Sequence, residues 1–127
     1  MATGVVFDDD RPADNENLKK LSIIWLDDTH NNSEGNRIMQ KKMRSILSDY
    51  KQFEDALQCI TYIQQMSKEK QLALIVNDQL GQKVIFHVHH LQQVSSIHVY
   101  PVDTKSNTEW TKPFIKVNIT REFDVNI

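Results

Sequence analysis

The chain has 127 residues, 39% of them hydrophobic and 25% charged, which fits one globular domain with an ordinary packed core. Fifteen Lys and Arg against seventeen Asp and Glu give a net charge of -2. That balance excludes general nucleic-acid binding and a polybasic membrane anchor, both of which need a clustered positive field. The single cysteine, Cys59, excludes an intrachain disulfide and fits a reducing, cytoplasmic setting. No leader-like apolar stretch opens the chain and no run is long enough to span a bilayer.

Residues 1–20 read as a flexible acidic tail. Asp8, Asp9, Asp10, Asp14 and Glu16 crowd a stretch that also holds Pro12, Asn15 and Asn17, with Val5-Val6-Phe7 as its one apolar knot, read as a chance cluster ahead of a docking motif. Such a segment buries too little apolar surface to offset its ordering entropy.

The folded domain is expected over 21–127. Leu21 to Leu26 is a near-continuous apolar run, as in a strand covered on both faces. After a polar loop, Ser33 is placed to cap a helix whose apolar stripe is Met39, Met43, Ile46, Leu47 and Tyr50. A short second strand centres on Phe53. Asp55 then caps a second helix, with Gln58 three residues on and an inner stripe of Ala56, Cys59, Ile60, Ile63 and Met66. Leu72 to Val76 is a third apolar strand, Gly81 the turn after it, and Val84, Ile85, Val88 and Leu91 a third short helix. Ser96 to Tyr100 reads as a fourth strand. Asn107 to Lys112 reads as a short helix around Trp110, stopped by Pro113, and Ile115 to Ile119 as a fifth strand.

Strand and helix thus alternate, which predicts a three-layer α/β fold with a five-stranded parallel sheet in the order 2-1-3-4-5, the flavodoxin-like arrangement. Too few residues follow the fifth strand for the helix that normally lies beside the first. One face of the sheet is therefore expected to be thinly covered. The chain is read as a piece of a longer parent, or as leaving a patch that takes a protein partner or a second copy.

In such sheets ligands gather beyond the carboxyl ends of the strands. Asp27 and Asp28 follow the first strand there, Asp78 the third, Val102 and Asp103 the fourth, and Thr120 and Arg121 the fifth. Three carboxylates at one rim would make a hard-oxygen site of the kind Mg²⁺ prefers. Ile23-Ile24-Trp25-Leu26-Asp27-Asp28 and Leu74-Ile75-Val76-Asn77-Asp78 resemble the first and third strands of phosphorelay receiver domains. That resemblance implies Asp27, Asp28 and Asp78 as metal ligands and Asp78 as phosphoacceptor.

The departures are equally plain. A receiver's Ser or Thr after strand four is replaced by Tyr100-Pro101-Val102, and its Lys after strand five by Ile119-Thr120-Arg121. An Arg one step away is not equivalent to that Lys. Leu80-Gly81-Gln82, the run from His90 to Tyr100, Asp103 and Trp110 are similar to an uncharacterised receiver-like domain. That domain precedes ADP-ribosyltransferase or tetratricopeptide-repeat regions in some invertebrate proteins, which implies an accessory module rather than a catalytic one.

The other chemistry-bearing residues fit no motif. His87, His89 and His90 are too few for a zinc site without further ligands. Cys59 reads as a small core residue, and His30 has no nucleophile beside it. Three glycines in the whole chain leave little to build a phosphate-cradling loop. The expectation is a non-enzymatic, receiver-like interaction or regulatory module without a cofactor. A phosphoacceptor working with Mg²⁺ through Asp78 is the alternative.

Overall fold

Apolar runs too continuous to leave a face in water become the centre of the sheet. In a computed structural model, which describes residues 21–28, 34–102 and 105–120, Leu21–Leu26 forms β1 and Gln71–Asn77 forms β3. They pair side by side and in parallel, from Leu21 opposite Gln71 to Leu26 opposite Val76. Tyr50–Phe53 (β2) pairs the outer side of β1. Val94–Tyr100 (β4) pairs β3, and Val117–Ile119 (β5) pairs β4. Every pairing is parallel and the order is β2-β1-β3-β4-β5. This is the flavodoxin-like 2-1-3-4-5 sheet that the alternation of elements predicts.

Three α-helices return the chain between strands: α1 over Glu34–Ile46, α2 over Ala56–Gln65 and α3 over Asp78–Val88. A 3₁₀ turn covers Glu109–Thr111. Asp55 caps α2 as expected, its side chain accepting the Gln58 amide at 2.9 Å. Asn77 caps α3 in the same way, accepting the Leu80 amide at 2.7 Å.

Side chains of one parity along β1, β3 and β4 meet α2 and α3. Ile24, Leu26, Leu72, Leu74, Val76, Ile97 and Val99 pack there with Cys59, Ile63, Val84, Ile85 and Val88. Trp110, Phe114 and Val117 close that cluster near β5. The opposite face is the thinner layer: Trp25, Ile75 and Tyr100 with Met39, flanked by Ile23, Met43 and Tyr50. Among the described residues no helix follows β5. Where β4 and β5 turn toward that side they present Ser96, His98 and Asn118, by the pairing of Ala73 with Ser96 and of His98 with Asn118. The thinly covered region is therefore polar, and Ser96 Oγ lies 3.1 Å from His98 Nε2.

Several local expectations are corrected. Tyr50 does not continue the helical stripe: α1 ends at Ile46, and Tyr50 opens β2 opposite Ile23. Sheet pairing outweighs the helical spacing there, and Ile46 is left 65% exposed. Gly81 lies inside α3 rather than in a turn, because the helix starts earlier, at the Asn77 cap. Leu91 lies past the end of α3, its amide bonded to the Val88 carbonyl. Only Glu109–Thr111 of the expected fourth helix is helical, and Ile115 is 99% exposed ahead of β5. Residues 1–20, His30, Ser33, Asp103 and Arg121 lie outside the described residues.

Candidate functional site

The carboxyl ends of β1, β3 and β4 stand next to one another, so the first residue beyond β1 meets the last residues of its neighbours. Asp27 is that residue, only 2% exposed. Its backbone amide continues the sheet by donating to the Phe53 carbonyl at 3.0 Å. One carboxylate oxygen accepts the Tyr100 hydroxyl at 2.6 Å, and the other accepts the Asn77 side-chain amide at 3.2 Å. Trp25 Nε1 donates to the same Tyr100 oxygen at 3.1 Å, with the two rings edge to face at 5.9 Å. The result is a closed chain of hydrogen bonds from Trp25 through Tyr100 and Asp27 to Asn77, whose own oxygen is already committed to the α3 cap.

Burial is the main influence on the Asp27 carboxyl and pushes its pKa above the ordinary 3.8; the bonds from Tyr100, Asn77 and Asn36 pull the other way, and Asp28 adds a small upward push. Tyr100 is pushed far above the ordinary phenol value, first by burial and then by its bond to Asp27. It therefore stays a donor, and the pair works as one carboxylate clamped by neutral groups.

Asp78 has a different partner. The side chain directed at Asp27 from β3 is Asn77, and Asp78 is the first residue of α3. Its Oδ1 accepts the Val102 amide at 2.9 Å and so ties the exit of β4 to the start of α3. Asp78 is 4% exposed, whereas Asp28 is only partly buried. Asp27 and Asp78, two of the three aspartates singled out as a Mg²⁺ site, thus each tie neighbouring strand ends together. Among the described residues no three His, Cys, Asp or Glu side chains are grouped so as to hold a metal ion.

The remaining candidates are scattered. Cys59 is buried under α2 in the larger core, and burial raises its thiol pKa to about 12. His87 and His90 are exposed at the end of α3, and His89 packs edge-on against Phe114 at 4.8 Å. His98 is half-buried in β4, where burial lowers its pKa below 6.5. Sequence reasoning singled out the acids and missed their neutral partners. The available signal was Asn77 itself, an N-cap residue type directly after the apolar run, which starts the helix at Asp78.

Of the surface depressions, two are lined in good part by aromatic side chains. Phe53, Leu57, Gln58, Thr61, Tyr62 and Gln65 line one of about 400 Å³. Gln82, Ile85, Phe86, Trp110 and Phe114 line another of about 280 Å³. Neither includes Asp27 or Asp78. The chain matches no family model, no curated protein and no solved structure. Its class therefore rests on its own geometry: a flavodoxin-like α/β domain whose rim carboxylates are tied into the frame.

Proposed function

We propose that the chain is a non-enzymatic, receiver-like interaction or regulatory module. The observation that supports this reading is that the acids are already engaged in the frame: Asp27 by Tyr100 and Asn77, and Asp78, 4% exposed, by the Val102 amide. A hard cation needs several oxygen ligands brought together, and a carboxylate that must attack phosphorus needs a clear line of approach. A chain of this kind acts by contact with another protein or a second copy of itself, and not through nucleic acid. A cytoplasmic setting belongs to the same reading, on the strength of a lone buried thiol.

The test is intact mass after incubation of the whole chain with a small acyl phosphate and Mg²⁺. The expected result is an unchanged mass, with backbone amide signals around Asp27 and Asp28 indifferent to added Mg²⁺. Gain of one phosphoryl group in the wild type, lost in Asp78→Asn, would replace this reading with that of a phosphoacceptor.

A further inference from the structure

The groove between α3 and the 3₁₀ turn has features that packing of the core does not explain. Phe86 is 70% exposed on α3, one turn from Gln82, and faces Trp110 and Phe114 across the depression. The indole of Trp110 lies close against α3 because position 81 has no side chain; a Cβ there would come within 3.2 Å of Trp110 Cη2. The Trp110 ring lines the trough, while its Nε1 is buried and has no hydrogen-bond partner among the described residues.

The rim is basic on balance. Lys83 stands three residues before Phe86 on the helix surface and so lies beside it. Lys112 sits between Trp110 and Phe114 in the chain and pairs with Glu109 at 2.7 Å. Lys116 follows Phe114 closely, its ammonium on the Leu91 carbonyl at 2.8 Å.

A groove of this kind suits an extended segment with apolar side chains and carboxylates to one side. The chain contains such a segment: Val5-Val6-Phe7 followed at once by Asp8-Asp9-Asp10. Residues 1–20 hold five acidic and three basic residues, so they carry the whole net charge of -2. Residues 11–20 link the segment to β1. At about 3.3–3.6 Å per residue they reach on the order of 35 Å, comparable with the full width of a domain whose radius of gyration is roughly 14 Å. The other depression suits the segment less well. Glu54 and Asp55 adjoin Phe53 in the chain, and Lys51 is already placed over the Tyr62 ring at 5.3 Å.

We propose that Val5–Asp10, which lies outside the described residues, docks in this groove. Its apolar triplet packs on Phe86, Trp110 and Phe114, and its aspartates face Lys83 and Lys112. The contact is intramolecular. It goes beyond the reading of the rim and does not depend on it.

The test places a spin label on Thr3→Cys in the full ¹⁵N-labelled chain. Cys59 is buried with a raised thiol pKa, so wild type treated identically is the unlabelled control. The indole N–H signal of Trp110, assigned with Trp110→Phe, should lose several-fold more intensity than that of Trp25. Phe7→Ser and Phe86→Ser, the latter an exposed and fold-sparing change, should each restore it. Equal loss at both indoles, or loss that survives Phe7→Ser, overturns the proposal. So does broadening that reappears when a spin-labelled ¹⁴N chain is mixed with an unlabelled ¹⁵N chain, because the occupant would then be a second copy.

Discussion

The two faces of the sheet are built on different principles. The face under α2 and α3 is aliphatic mass: Leu72, Leu74, Val76, Ile97 and Val99 lie fully buried, with no polar group required among them. The face under α1 is thinner and relies on direction, with a carboxylate, a phenol, an indole and an amide held at fixed angles. Mass supplies most of the favourable free energy, since apolar burial scales with area. Direction pins the ends of β1, β3 and β4, because a buried polar group that slips loses its partner at full desolvation cost. A short, weakly covered face can therefore still fix strand register.

The contrast can be broken from either side. Leu74→Ala should cost the most, about 2–5 kcal/mol in denaturant unfolding, from lost burial plus the cavity left behind. Asp27→Ala should cost about 2–4 kcal/mol, since the Tyr100 hydroxyl and the Asn77 amide each lose a buried acceptor. A loss below about 0.5 kcal/mol would show that water replaces the carboxylate and that the clamp is dispensable. Tyr100→Phe should cost about 1–3 kcal/mol and shift Trp25 emission, because the indole loses its acceptor.

The smallest effect is in pH dependence, where two groups on the thin face act in opposite senses. His98 has a lowered folded pKa. As pH falls below about 6.5 the unfolded chain takes up the proton first and stability declines; His98→Gln should flatten that slope in urea midpoints. Asp27 has a raised folded pKa. Its contribution is present below the unfolded value near 3.8 and is lost as pH rises through the folded value, so Asp27→Asn should remove that slope at the acid end.

What was legible in the sequence follows the same division. β1 and β3 stand out as unbroken apolar runs because both of their faces are covered, and they fix the parallel sheet and its order. The edge strands were harder to read. β2 has little burial of its own, so Tyr50 looks like a helical residue until Ile23 is seen opposite it. The rim was half legible: Asp27 falls where expected, at the end of β1. Its partners are neutral and distant in sequence, and neither Tyr100 nor Asn77 signals by charge. Gly81 misleads for a related reason, since it serves a close approach of Trp110 that no local pattern records.

The pairing of β3 with β4 steps from Leu72 opposite Val94 to Ala73 opposite Ser96, leaving Ser95 without a counterpart. Evenly spaced pairing from Val94 onward would turn the strand over, putting Ser96, His98 and Tyr100 among the aliphatic side chains and Ile97 and Val99 outside. The exposed Ser95 is thus an extra tooth that the zipper skips. Excision of Ser95 should leave every later residue of β4 facing as it does now, an unusual licence in a central strand, whereas one further residue inserted after Ser96 would reverse them all.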